Sequence, residues 1–449
     1  MIVSSLFYFF FAIVFYQVFS TVTVYGLELF SAQWPAYIRE AFWILAIGII
    51  LILNRKQIGE YLKRRKWCRI VFILLSVFSV GISFLLCEKT LSDCVVGFKY
   101  CFQRMAIFLS FTMIGFFYKE KLKSQTFLSW LKIFIVFVVL FWFFWQIGKL
   151  IRPNLFELMG YTLNLDNYQY GMKPPIYYLT GYEGTLRWQG LFSGPNNYGY
   201  FLVGFFPLVV LLFWMKWKEL KNLTVHKIIN LSVLGIWILA MIVTLSRAVF
   251  VWGLLILLGL NWSFLKKQKK KMIMVIIMGV LALLWISIWK WDSTKEHLVN
   301  KFSAVSQFFD QPLGYGLWTS GPAVHYHGVY LPENYYFQIL LDTGTIGFLI
   351  QMLFFFQLLR LIRLIFQKYQ SIKITEEESI DFLMLRRLQL GFLALLVIGF
   401  FLHVFEDSMV NYLFFGMYGI FLGKCSTILG EVKWYNPFSL KALKTLRKK

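Results

Sequence analysis

Charge is scarce in this chain. Asp, Glu, Lys and Arg make up 15% of its 449 residues, where soluble domains carry about 25%. That shortage excludes an ordinary soluble globular protein, which could not cover its surface with so few charges. Acids are scarcer still, 22 against 45 Lys and Arg, for a net charge of +23. Cysteine is nearly absent, with five in all and no C-x-x-C spacing, which excludes the usual zinc and thioredoxin-type patterns. Cys87, Cys94 and Cys101 flank or lie in one loop. A Cys87–Cys94 bridge is open there, beside the blander reading of thiols in apolar surroundings. The first apolar stretch lacks a basic n-region and a small-residue cleavage site, so it is expected to stay as a span and not to be a signal peptide. No repeat of fixed period occurs.

Apolar residues are what the chain has: 59% hydrophobic and 20% aromatic. Apolar windows of about 18–23 residues recur, each long enough to cross a hydrocarbon core of roughly 30 Å as a helix. They fall near 5–24, 36–53, 70–87, 100–118, 133–151, 197–215, 228–245, 248–264, 272–289, 336–359, 388–405 and 408–425. The expectation is therefore an all-α polytopic membrane protein, one integral domain over 1–449, with about twelve transmembrane helices. Most of the 45 Lys and Arg cluster in 54–69, 119–132, 216–227, 266–271, 360–387 and the tail from 424. Basic loops stay on the cytoplasmic side, and this alternation puts both termini in the cytoplasm. The positive charge is thus accounted for by topology and by anionic headgroups facing KKQKKK (266–271), with no role left for nucleic acid.

The run 228–264 needs a break, because a single helix of that length would extend about 55 Å. Splitting it at TLSRAV (244–249) yields two ordinary spans and puts Ser246 and Arg247 at an outer turn. Two outer segments are longer than the rest, 152–196 and 290–335. In the first, the Pro- and Gly-rich GMKPPIYYLTGYEGTLRWQGLFSGPNNYG argues for turns. The second contains STKE (293–296), a capping-box pattern, then Leu298, Phe302, Val305 and Phe309 at helical spacing. This predicts an amphipathic helix over 294–309 lying on the outer face. On the inner side TEEE (375–378) starts a short amphipathic helix that ends at Arg386 and Arg387.

Ionisable groups near lipid are costly and usually face a cavity or a partner. The outer candidates are Arg187, Arg247, Lys301, His325, His327, Glu333 and Asp342. Three cations from three segments suit an anionic substrate such as a phosphate or diphosphate, which guanidinium grips with two donors. For each cation alone, an interface anchor is an equally good reading. Glu333, between Pro332 and Asn334 at the start of a span, is the leading general base. The competing reading is an acid favoured by the helix dipole. His325 and His327 titrate near neutrality and are alternatives. No third ligand accompanies them, so no metal and no cofactor are expected. Asp342 reads as capping a packing interaction or as hydrogen-bonding Tyr335 or Gln338, Arg104 as the structural partner of an acid such as Glu406 or Asp407, and His403 as an interhelical hydrogen bond.

Four stretches together resemble the O-antigen polymerase and O-antigen ligase superfamily. They are RWQGLFSGPNNYGYFL (187–202), TLSRAVFV (244–251), PLGYGLWTSG (312–321) and ENYYFQILLDTGTIGFL (333–349). The match covers roughly 187–350, and the first 150 residues share hydropathy alone. The resemblance implies a metal-independent, GT-C-like glycosyltransferase in the bacterial cytoplasmic membrane. Such enzymes move a glycan from undecaprenyl diphosphate to an acceptor hydroxyl on the outer face, alongside a chain-length regulator and a flippase. Carried onto this sequence, it implies that Arg187 and Arg247 hold the diphosphate, with Asn196, Lys301, Asn334 and Tyr335 on the substrate side. The base would come from 325–333. Glu333 stands where many ligases have His, Asp342 where the family has Glu, and Lys301 where an Arg is usual. These departures favour the polymerase branch over the ligase branch. A lipid-linked-sugar flippase is the rival from another class, although inverted repeats and midplane charges are missing.

Overall fold

A computed structural model describes residues 91–158, 160–164, 175–180, 185–190, 194–214, 225–246, 291–321, 334–372, 374–405 and 410–427, with a few single positions elsewhere. The spans expected near 5–24, 36–53, 70–87, 248–264 and 272–289 lie outside the described residues. The described chain is mostly helical. Its helices are α1 (Leu91–Phe117), α2 (Ser124–Ile151), α3 (Pro153–Leu158), α4 (Pro195–Trp214), α5 (Val225–Val243), α6 (Trp291–Asp310), α7 (Tyr335–Tyr369), α8 (Glu376–Ile398) and α9 (Gly416–Ser426). A π-helical turn, Asn411–Phe415, leads into α9. Strands β1 (Tyr178–Thr180) and β2 (Thr185–Arg187) pair antiparallel.

Among the described residues, the helices at Ser124–Ile151, Pro195–Phe213 and Tyr335–Tyr369 are long and apolar enough to cross a membrane. The residues of α2 show how. Phe127, Leu131, Ile135, Val138 and Trp142 form a buried stripe. On the opposite side Trp130, Ile133, Phe137, Leu140, Phe144 and Ile151 are exposed. A helix that is apolar all round is suited to lipid on one face and protein on the other. The exposed stripe runs about 30 Å at 1.5 Å per residue, the thickness of a hydrocarbon core. The chain is a helical membrane protein.

Small residues let the central helices approach closely, as expected where lipid competes for apolar surface. A Cβ on Gly419 of α9 would sit 2.6 Å from the Phe108 carbonyl oxygen of α1, and one on Gly423 would strike the Thr112 carbonyl. The base of this unit is ionic. The Lys424 ammonium pairs with Asp381 of α8 at 2.9 Å, each side chain 2% exposed. It also donates to the Leu122 carbonyl at 2.6 Å and to Ser124 Oγ, and that hydroxyl donates to Asp381. A second pair, Lys119 to Glu378 at 2.8 Å, lies alongside.

Several expected boundaries shift. The short helix from TEEE and the span 388–405 are one helix, α8, which ends at Ile398, and 399–405 are turns. The buried positions Asp381, Leu385, Leu388 and Phe392 continue one stripe across Arg386 and Arg387, so no break separates the two. Thr375 and Glu378 do form the capping box. By contrast, STKE lies inside α6, which begins at Trp291. Helix α1 starts at Leu91, nine residues before the expected span, where Gly97 abuts Leu317 and Trp318. In 152–196 the turns expected are joined by α3 and the β1–β2 hairpin.

The first glycine of the pair in the fourth motif interrupts α7. Gly344 has φ 64° and ψ −172°, a left-handed conformation that favours glycine. Into this break fits the loop 312–320. Thr345 donates its N–H and hydroxyl to the Pro312 carbonyl, at 3.0 and 3.1 Å, and the Tyr315 N–H donates to Leu341 O at 2.7 Å. Backbone freed by the kink is thus satisfied from within the protein, as irregular backbone at membrane depth must be.

Candidate functional site

Helices α2 and α8 both start beside the Lys424 clasp and run the same way. Their far ends, the start of α4, the end of α5 and the start of α7 therefore share the opposite end of the bundle. Two polar clusters lie there.

The first is built on Arg187. Pairing in the hairpin sets Tyr178 opposite Arg187, and the guanidinium lies 5.9 Å from the Tyr178 ring centre. Its Nε–H donates to the Thr244 carbonyl at 2.8 Å and its Nη2 to Asn196 Oδ1, also at 2.8 Å. One side chain thus ties together RWQG, PNN and TLSR, motifs nearly sixty residues apart in sequence. The backbone reinforces it, with Trp188 N–H on Val243 O at 3.0 Å. Charge-assisted hydrogen bonds of this kind contribute about 1.5–3 kcal/mol each. Leu245, in the turn after α5, has φ 49°, a left-handed conformation that strains a branched residue. Beneath, Trp142 meets the edges of Phe192, Tyr198 and Phe201 at 5.0–5.5 Å, a rigid floor under the turn.

The second cluster surrounds the start of α7. Asn334 is the N-cap, its Oδ1 accepting from Tyr336 and Phe337 N–H while its Nδ2 donates to Phe400 O at 2.8 Å. Tyr335 N–H donates to Gly399 O at 2.9 Å. Lys301 of α6 reaches the same turn, its ammonium 4.9 Å from the Phe401 ring centre. His403 meets Gln338 of α7 at 2.7 Å, a hydrogen bond as expected, though from the turn after α8 and not from a second helix. Lower down, Arg104 of α1 is wholly buried. It donates to Gln351, which also accepts the Tyr335 hydroxyl at 2.7 Å, and lies 4.6 Å from the Tyr335 ring centre. Glu406 and Asp407, its expected partners, lie outside the described residues.

Asp342 does not bond Tyr335 or Gln338. Its Oδ1 accepts from the N–H groups of Thr319 and Ser320, at 3.3 and 2.8 Å, and from the Ser320 hydroxyl at 2.8 Å. It fastens the Gly-x-Gly loop to the fourth motif, two stretches the sequence shows only as neighbours in order.

Of the sequence-predicted site residues, Arg187 and Asn196 are in direct contact, and Asn334, Tyr335 and Lys301 meet on the turn at 399–401. Arg247, His325, His327 and Glu333 lie outside the described residues, although each is within a few residues of a described one at 246, 321 or 334. Among the described residues no group of His, Cys, Asp and Glu could hold a metal ion. Lys149 was not singled out from sequence, where a lysine at a span end reads as an interface anchor. The structure buries it completely beside Gly190.

These features describe a helical membrane protein with cationic side chains packed beside aromatic rings at one end of the bundle. An O-antigen polymerase of Salmonella muenchen is 24% identical over 277 residues, covering 56% of this chain and 63% of that protein. The chain thus matches somewhat less than two thirds of that relative's length. No family model matches the sequence, and no solved structure matches it.

Proposed function

We propose that the protein is a glycosyltransferase that joins undecaprenyl-diphosphate-linked oligosaccharide repeat units on the outer face of the bacterial cytoplasmic membrane. The observation that carries this reading is the Arg187 junction, where one guanidinium ties both ends of the first family-like motif to the second at one end of the bundle. Likeness to a protein named an O-antigen polymerase supports the class of reaction.

In this reading Arg187, presented by the hairpin and steadied by Asn196, faces the diphosphate with Arg247 from the adjoining turn. Preorganised donors aimed at a leaving group on which charge develops lower the barrier without reorganising at the moment of reaction. The acceptor hydroxyl approaches the start of α7, where Glu333, or His325 or His327, takes its proton. The glycosidic bond to phosphate breaks as the new one to the acceptor oxygen forms, and undecaprenyl diphosphate departs. A chain-length regulator and a flippase are its expected companions.

The test supplies the purified protein with undecaprenyl-diphosphate repeat units and looks for a ladder of products. A ladder that Arg187→Ala and Arg247→Ala abolish is the expected result. Translocation of the same lipid without any ladder would replace the reading with a flippase, and transfer to a different acceptor with a ligase. Glu333→Gln, His325→Ala and His327→Ala, compared side by side, identify the base.

A further inference from the structure

Among the described residues, the ammonium of Lys149 is buried without a counter-charge. It lies at the end of α2 with no exposed surface. Its hydrogen bond is a long one, 3.3 Å to the Gly190 carbonyl, and the Tyr161 ring centre lies 4.9 Å away. Among the described residues no carboxylate pairs with it, unlike Lys424, which is equally buried but held by Asp381. An ammonium removed from water without an opposite charge costs several kcal/mol. One turn back on the same helix face, Gln146 is 1% exposed, and neither its amide nitrogen nor its amide oxygen has a hydrogen-bond partner. Gln189, next to Gly190, spends its amide N–H on the Pro175 carbonyl, and its Oε1 has no partner. Orphaned buried amide groups forfeit their hydrogen bonds to water without replacement. Well-packed interiors rarely collect several of them around a cation.

A sugar bearing an acidic group offers partners to most of these atoms. An anionic oxygen accepts from the Lys149 ammonium and from the Gln146 amide N–H, while a neighbouring sugar hydroxyl donates to the free Oε1 of Gln189. The location suits a substrate group, since Gly190 lies three residues beyond Arg187 on the same strand-and-turn. Lysine carries its charge on a flexible four-carbon stem, so releasing one long hydrogen bond frees the ammonium to meet an incoming anion. We propose that Lys149 and Gln146 form a second anion-recognition point beside Arg187, taking an acidic oxygen group of the lipid-linked glycan. This rests on the glycosyltransferase reading above and adds a specificity element to it. The acidic group has two possible sources, a phosphate of the diphosphate or a sugar carboxylate, with the same recognition chemistry.

The experiment uses the full-length purified protein in lipid nanodiscs, with inorganic diphosphate and glucuronate as probes titrated by calorimetry. Wild type is expected to bind one of them saturably. Lys149→Met should weaken that binding about tenfold or more, Lys149→Arg should stay within about threefold, and Gln146→Leu should weaken it several-fold. Loss confined to diphosphate assigns the phosphate, and loss confined to glucuronate assigns the sugar acid. Elution profile and melting temperature confirm that each variant is folded. If Lys149→Met does not fold, Gln146→Leu decides, because it leaves the charge in place. The proposal is overturned if wild type binds neither anion, or if the folded variants bind both as wild type does. A ladder of products together with unchanged anion binding in Lys149→Met defeats this inference alone. Absence of a ladder from wild type, together with weakened anion binding in Lys149→Met, defeats only the polymerase reading.

Discussion

Gly314 and Gly344 meet backbone to backbone. A Cβ on Gly314 would lie 2.5 Å from the Gly344 amide nitrogen, and one on Gly344 would strike the carbonyl group of Leu313. Both residues are left-handed, with φ 90° and 64°. The loop 312–320 and the break in α7 are therefore two halves of one joint, and neither half accepts a side chain.

Replacing Gly344 with alanine combines a positive-φ penalty with a backbone clash. A loss of about 2 kcal/mol or more is expected, read as a lower melting temperature. Gly235→Ala is the control, since nothing lies within 4 Å of a Cβ there. It should be neutral or slightly stabilising, as alanine is the better helix former.

Asp342→Ala removes the acceptor shared by Thr319, Ser320 and the Ser320 hydroxyl. The expected loss is about 3 kcal/mol, with Asp342→Asn retaining an acceptor and losing less. If the two variants melt alike, the carboxylate is not what fastens the loop.

Arg187→Lys keeps the charge but cannot donate to Thr244 O and Asn196 Oδ1 in the same fork geometry. In the polymerisation assay kcat/KM should fall about tenfold, equivalent to about 1.4 kcal/mol, and Asn196→Ala should fall in the same direction. A lysine variant as active as wild type would show that charge alone matters.

Breaking the clasp leaves a buried charge uncompensated. Lys424→Met and Asp381→Leu should each cost about 3–5 kcal/mol, and the double variant should recover much of that, because two apolar side chains leave no stranded ion. Thermal unfolding of the three proteins gives the coupling directly.

The second pair gives a pH dependence. The hydrogen bond from Lys119 is the main reason the Glu378 carboxyl is held below its usual range. A carboxylate with a depressed folded-state pKa stabilises the fold above its unfolded value, and that contribution fades as pH falls through the folded value. Melting temperature should therefore drop on acidification less steeply in Lys119→Ala than in wild type. The difference should be small and should shrink with salt, since both side chains are about a quarter exposed.

The legibility of this chain divides by type of interaction. Apolar runs located α4 and α5 within a few residues, because hydropathy is a local property, whereas α2 begins at Ser124, nine residues before its expected span, and α9 at Gly416, eight residues into its own. TEEE announced the true start of α8, whereas STKE announced nothing, since α6 begins upstream of it. Arg187 and Asn196 stood out by their motifs. That the guanidinium would take the Thr244 carbonyl was not legible, because every residue carries a carbonyl and only the fold selects one. Lys149 escaped notice for the opposite reason: its type and position are those of an ordinary span-end lysine, and only the returning chain at Gly190 buries it. Asp342 was visible as an oddity within an apolar helix, but its partners lie more than twenty residues away in a loop.

Helices α8 and α9 and the start of α2 are riveted at Lys424 by an ion pair and the hydrogen bonds around it. At the other end, the start of α7 is joined to α8 and the turn after it by neutral hydrogen bonds, Tyr335 to Gly399, Asn334 to Phe400, Tyr336 to Leu396 and His403 with Gln338. The two ends are therefore held by different forces: an ionic clasp that fails when either charge is removed, and neutral hydrogen bonds at Asn334 and Phe400 that do not depend on charge.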